Sequence, residues 1–272
     1  MTFFVDETPL AAQYCPDTAA VERGSSFRPN DLQHTKLLTT GVGVVTYSGE
    51  KLPMIVIKKG QTFKSLERWH QFGIFNLPKM NKLQMEHDST LYRLTPQELK
   101  DTRNGIGLVE PNARQSSSSL CTILEQIIQP YAMLMRGHRN LRHGEPLCAV
   151  VLDADASHTN HQTVACLTRL NMLGHIIPGK AGPEADPLDE GIFGPFKASL
   201  KAAEHAEFRD WKLVHFEEIL KWRRGEISQF PILEKCESGM EALDGTISRA
   251  VATWHSVVTR RSIKNSISRC YP

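Results

Sequence analysis

The sequence predicts an α/β fold: a mixed sheet flanked by helices, with an irregular insertion and a helical C-terminal portion. Three observations predict it. Two β-rich runs follow an apolar opening within the first 60 residues, a strand, helix, strand order runs from Cys148 to Ile177, and apolar residues recur at helical spacing beyond position 189.

Phe3-Phe4-Val5 reads as a short strand running into Asp6, Glu7 and Thr8. From 11 to 33 the chain turns polar, with Pro16, Gly24 and Pro29, and reads as a loop. Val42 to Tyr47 and Met54 to Ile57 bracket "SGEKLP", whose Ser, Gly and Pro mark the turn of a hairpin. Residues 61–115 read as an insertion, because Trp69, Phe72 and Phe75 suit a helix that Pro78, Asn81, Pro96, "RNG" and "EPN" interrupt.

The serine run at 116–119 then caps a helix carrying Leu120, Ile123, Leu124, Ile127 and Ile128 on one face. A basic turn, "RGHRNLRHGEP", leads into a strand from Cys148 that ends at Asp153. Val164, Leu167, Leu170 and Met172 follow at helical spacing, then a short strand His175-Ile176-Ile177 closed by Pro178 and Gly179. Part of the sheet is therefore parallel, and in such sheets reactive groups collect at the carboxyl ends of strands. "DEGIFGPFKASLKAAEHAEFRDWK", "HFEEILKWRRGEI" and two further segments up to the terminus read as helices, so the simplest partition is one domain.

Composition narrows the function classes. Among 272 residues, Lys and Arg number 32 against 30 Asp and Glu, so no overwhelming positive field advertises nucleic acid and any such contact comes from a local patch. The six cysteines, Cys15, Cys121, Cys148, Cys166, Cys236 and Cys270, lack a CxxC pair or zinc-ligand spacing, which predicts reduced core thiols. No apolar run approaches the roughly 20 residues of a membrane helix, and the N-terminus has no signal-peptide pattern. A cytosolic or nuclear location is the expectation.

Acids stand at three predicted element ends: Asp6, Asp153 in "LDADASH", and Asp189 in "DPLDEGIFGPFK". A single Asp at such a point is as readily a turn or helix cap, since its short side chain accepts backbone N–H bonds. Three together look like a metal site. Mg²⁺ and Mn²⁺ take oxygen ligands, and two-metal phosphoryl-transfer sites share carboxylates because their ions sit only about 3.5–4 Å apart.

"FFVDETPL", "LDADASH" and "DPLDEGIFGPFK", in this order, resemble the DDE superfamily of transposase endonucleases, in particular its mariner/pogo branch with the centromere protein B-like and Tigger-like sequences. That branch shows a strand ending in DET, an aspartate followed shortly by Ser-His, and a PLD-x-G-x-F element with the third acid. Weaker likeness in "SGEKLPMIVIKKG" and "ATWHSVVTRRSIKNSI" extends it over nearly the whole chain. The resemblance implies an RNase H-like fold with strand one central, beside the strand of the second acid, and the third acid at a following helix.

It also implies hydrolysis of DNA phosphodiesters and strand transfer, with Asp6, Asp153 and Asp189 holding two Mg²⁺ or Mn²⁺ ions and no covalent enzyme intermediate. His158 matches the family's Ser-His, and is read as a phosphate contact, an orienting group or a packing histidine. Ala154 and Asp186 depart from the family's usual Asn and Gln. Asp186 and Asp155 are auxiliary carboxylates that either bind metal or repel phosphate. DNA contacts fall to Arg136, Arg139, Arg142, Lys180, Arg260 and Arg261, each equally readable as a solvated side chain.

Family members carry helix-turn-helix domains before the first acid, whereas five residues precede it here, so the expectation is a truncated or host-adopted catalytic domain. DNA is the implied partner, a homodimer is admitted, a membrane is not, and the nucleus is the expected location. The alternative is a domesticated, non-catalytic DNA- or protein-binding scaffold, which would equally be cytosolic.

Overall fold

The computed structural model describes residues 1–11, 38–60, 96–137, 144–179, 181–228 and 239–272. The polar loop expected from 11 to 33, the Trp69, Phe72 and Phe75 stretch, and Arg139, Arg142 and Lys180 lie, apart from Ala11, outside the described residues.

Six strands make one sheet in the order β4-β3-β2-β1-β5-β6. They are β1 (Thr2–Ala11), β2 (Leu38–Thr46), β3 (Ile55–Lys59), β4 (Ile106–Glu110), β5 (Cys148–Leu152) and β6 (Met172–Ile176). The expected hairpin is β2 and β3, antiparallel with Thr40 opposite Ile57. β1 is antiparallel to β2 on one side and parallel to β5 on the other. Strand one is therefore central and beside the strand of the second acid, the RNase H-like arrangement that the resemblance implies.

Two strand readings are corrected. β1 does not stop at the first acid but continues to Ala11, because Phe4 and Leu10 keep the same alternating face buried on either side of Asp6 while β2 pairs along its whole length. β4 was not expected: "IGLVE" is five residues long and flanked by turn signals, yet Ile106 and Leu108 are buried and the strand lies parallel to β3.

Helices cover both faces. On the face of Phe3, Val5, Val42 and Val150 pack Leu120, Ile123, Leu124, Ile127 and Tyr131. These belong to one helical rod: α1 (Pro96–Lys100) packs near its end, and α2 (Ser117–Ile123) runs through a π segment (Leu124–Ile128) into α3 (Gln129–Arg136). The wider π turn falls immediately before Pro130, whose ring cannot donate to, and collides with, a carbonyl four residues back. Ser116 and Ser119 form a capping box at the start of α2, as the serine run predicts.

After β5 come α4 (Ala156–Thr159) and α5 (His161–Arg169). Leu167 and Leu170 face the core as expected, but Val164 is 53% exposed and Met172 opens β6. The apolar spacing there mixes one helical face with the following strand.

The other face, with Phe4, Val45, Met54, Val56 and Val151, is covered by the C-terminal helices. These are α6 (Gly182–Ala185), a second π turn (Leu188–Ile192), α7 (Phe193–Val214), α9 (Gly239–Val257) and α10 (Arg260–Cys270), while α8 (Phe216–Arg223) buries no residue. Trp254, Phe193 and Phe196 are fully buried here, and each such side chain stabilises by about 1.5–3 kcal/mol relative to exposure. The Trp254 indole donates to Leu52 O at 2.9 Å. Lys51 reaches under the same helix and donates to the carbonyls of Trp254, His255 and Val258 at 2.7, 2.5 and 2.5 Å, capping the C-terminal end of α9. Among the described residues no helix is long and apolar enough to cross a membrane.

Candidate metal and nucleic-acid site

Register brings the first two acids together. The parallel β1 and β5 ladder ends with Phe4 opposite Val151, and its register, extended by two residues, sets Asp6 level with Asp153. Neighbouring strands lie about 4.8 Å apart. Parity gives them the same face, since Phe4 and Val151, two residues before each, both belong to the core under the C-terminal helices. That face carries the π turn with Asp189, entered from Asp186.

Asp6 is 9% exposed and Asp186 is 2% exposed. Burial, then the neighbouring Asp186 carboxylate and those of Asp189 and Asp153, push Asp6 up to about 8, against one lowering backbone contact at Glu7. Asp186 is pushed up to about 7 by burial and by Asp189 and Asp153, opposed by the Leu188 N–H that donates to its Oδ1 at 2.8 Å. The three predicted acids and Asp186 therefore share one electrostatic neighbourhood at the carboxyl end of β5.

Room for that neighbourhood comes from β2. The residue opposite Asp6 is Gly43, and a Cβ there would lie 2.8 Å from Trp254 Cη2 and 3.1 Å from the Phe193 ring. Glycine lets the helices close over the strand beside the acid. α10 braces the third acid: Ser266 Oγ donates to Pro187 O at 2.6 Å, Arg269 pairs with Glu190 at 3.0 Å, and the Tyr271 hydroxyl donates to Ala185 O at 3.0 Å.

His158 is 1% exposed and links the second acid to the opposite side of β1. Its Nδ1 lies 2.5 Å from Asp153 Oδ1, and its Nε2 lies 3.4 Å from Glu7 Oε1 and 2.9 Å from Gln115 Nε2. Burial alone would lower it, but the Glu7 contact and the Asp153 carboxylate push it up to about 9. Glu7 Oε1 and Gln115 Oε1 are otherwise buried without hydrogen-bond partners. An imidazolium donating from both nitrogens serves Asp153 and Glu7, and a turned Gln115 amide then accepts as well.

Asp155 is the N-cap of α4, its Oδ1 accepting from Ser157 N and Ser157 Oγ at 2.7 Å each, and those bonds hold its carboxyl below the usual range. It is occupied as a cap.

The described basic candidates, Arg136, Arg260 and Arg261, lie elsewhere. Arg136 ends α3 and donates to Pro146 O at 2.8 Å, before the start of β5, whereas Asp153 follows its end. Arg260 opens α10 and reaches Ser48 O, in the turn after β2 that lies beside the start of β1. Arg261 is exposed on the same first turn. Glu7 and Gln115 are the site residues that sequence reasoning missed. Glu7 carried a signal, as the residue after Asp6 points to the opposite face of a strand; Gln115 carried none, because it reaches His158 from 43 positions away.

The donor set is hard oxygen, and two of its carboxyls are buried against each other, which is the chemistry that Mg²⁺ and Mn²⁺ satisfy. Among the described residues no three His, Cys, Asp or Glu side chains are already gathered closely enough to hold an ion. Asp153 instead spends its Oδ1 on His158 and on the Asp155 N–H, at 3.2 Å. The residues offer the oxygen chemistry that the ion takes, within one electrostatic neighbourhood, and no ligand group is already assembled among the described residues.

No family model matches the chain, and no curated protein does. Solved structures of Mos1 transposase are similar. The Mos1 transposase paired-end complex with left transposon end shares 12% identity at a TM-score of 0.38, over 98% of this chain and 54% of that one. A pre-cleavage Mos1 transpososome shares 13% at 0.37, over 98% and 55%. The Mos1 mariner paired end complex with Mn shares 13% at 0.37, over 98% and 54%. The chain thus spans about half the length of those proteins.

Proposed function

We propose that this chain is a metal-dependent DNA endonuclease and strand-transfer domain of the DDE type, with Asp6, Asp153 and Asp189 as metal ligands. The observation that carries the reading is that the β1 and β5 register, extended by two residues past Phe4 and Val151, sets Asp6 beside Asp153 on the face of a buried Asp186 and the Asp189 turn. Bound Mg²⁺ or Mn²⁺, as a pair of ions, would supply the activation of water or of a 3′-hydroxyl and stabilise the leaving oxygen. Asp6, on a central strand, is the rigid member of the set. Asp153 follows the end of β5, and Asp189 sits in the first turn of the π segment. Asp186 is a fourth carboxylate within the same field and the auxiliary ligand of choice. DNA would be the substrate, with the nucleus as the site of action. Arg136, Arg139, Arg142, Lys180, Arg260 and Arg261 would serve as phosphate contacts.

Purified chain with MnCl₂ and supercoiled DNA should nick the plasmid. Asp153→Ala should lower that rate by on the order of 10³-fold, since charge stabilisation by such ions is worth several kcal/mol. Nicking that survives the substitution defeats the assignment. The engagement of Asp153 by His158 favours a second reading, a non-catalytic scaffold retaining the fold. Calorimetry in which neither Mg²⁺ nor Mn²⁺ binds or raises the unfolding temperature would select it.

A further inference from the structure

We propose that His158 is a positioning residue that sets the orientation of the Asp153 carboxylate, anchored from behind by Glu7 and Gln115; this rests on the metal-site reading above. Buried histidines most often pack or cap, and a capping imidazole would take the backbone carbonyl as its nearest oxygen. Here the Asp153 carbonyl is 3.3 Å from Nδ1 while the Oδ1 of its side chain is 2.5 Å away. The ring is thus bound to the carboxylate, the group whose direction decides whether it can serve as a ligand.

The ring itself has little freedom. Its far nitrogen lies against Gln115 at 2.9 Å and Glu7 at 3.4 Å, side chains supplied by the approach to α2 and by β1. The segment that carries it is pinned too. Ser157 O accepts from Ser117 Oγ at 3.2 Å and Thr163 Oγ1 at 2.7 Å, and Asn160 donates to Ser117 Oγ. Hydrogen bonds to a ligating carboxylate fix its rotamer and tune its basicity, and their loss commonly weakens metal affinity by about 10–100-fold. Glu7, on the reverse side of the strand that holds Asp6, makes the same imidazole a mechanical link between the first two acids.

Mn²⁺ titration followed by electron paramagnetic resonance tests the assignment on the full chain, with thermal unfolding in EDTA run on each variant. His158→Asn keeps a donor close to the Nδ1 position and so keeps the Asp153 bond. His158→Gln places its amide toward the Nε2 side and loses that bond. The expected result is Mn²⁺ affinity lowered about 10–100-fold in His158→Gln and largely retained in His158→Asn. Equal affinities in the two variants, or the reverse order, overturn the role, because a purely structural histidine would affect both alike and act through the metal-free unfolding temperature. Unaltered chain that binds no Mn²⁺ removes the metal-site reading and this inference with it; wild-type binding with indifferent variants removes only the inference.

Discussion

Between β2 and β3 Lys51 places its ammonium under three carbonyls of α9; two residues further along β1 than the level of Lys51, Asp6 lies buried beside Asp186 with further carboxylates as neighbours. Both places bury charge, and burial pulls Lys51 down to about 8 as it pushes Asp6 up to about 8. The lysine is matched by the backbone that it caps. The acids are matched only in part, by His158 and a few N–H groups, and like charges that the fold brings together with too little internal counter-charge mark the place that calls for an external cation.

The comparison breaks most sharply at Asp6. A carboxyl that titrates near 3.8 unfolded and near 8 folded is held protonated by the native state across that window, so metal-free protein loses stability as pH rises through it. Asp186 acts in the same direction up to about pH 7, and the contribution of His158, present below 6.5, fades as pH passes through about 9. Unfolding in EDTA should therefore give a melting temperature that falls from pH 5 to 8. Asp6→Asn should flatten that fall and stabilise the chain at pH 8 by on the order of 3 kcal/mol while abolishing stabilisation by Mg²⁺. A pH-independent melting temperature would mean that Asp6 is not confined as described.

At the lysine, Lys51→Met should cost about 2–3 kcal/mol by stripping α9 of its cap, with urea unfolding as the measurement, and should leave Mn²⁺ affinity unchanged. A shift in metal affinity would show that the helix cap and the acids are coupled. Gly43→Ala is the finest probe, because it presses a methyl group against Trp254 and Phe193 beside Asp6 without changing charge. A loss of about 1–3 kcal/mol is expected from overpacking, and an unaltered melting temperature would mean that the aromatic rings yield freely.

The fold was legible wherever one segment carries its own pattern. β2 and β3 announce themselves through "SGEKLP", and α2 through its serines and aliphatic face. β4 was not, because five residues between two turns hold too little pattern to separate strand from loop. The acids were legible as ends of elements, which is true of Asp153 and wrong for Asp6, since burial of a mid-strand aspartate depends on what covers it rather than on its neighbours in sequence. Asp155 looked like a spare ligand and is a helix cap, a role that Ser157 decides. His158 was legible as an orienting group and Glu7 carried a signal, but their meeting with Gln115 was beyond reach, as it happens only through the completed sheet.

β1 joins the antiparallel β2 and β3 hairpin on one side to the parallel β5 on the other, a strand that arrives only at Cys148. Pairing across such a separation pays its loop-closure entropy before it is rewarded, so the local hairpin half can form early while the β5 ladder comes late in folding. The two aspartates that face each other in the finished sheet therefore remain strangers for most of the folding reaction. Mutual repulsion burdens only the last stage, when a cation can already be present to meet it.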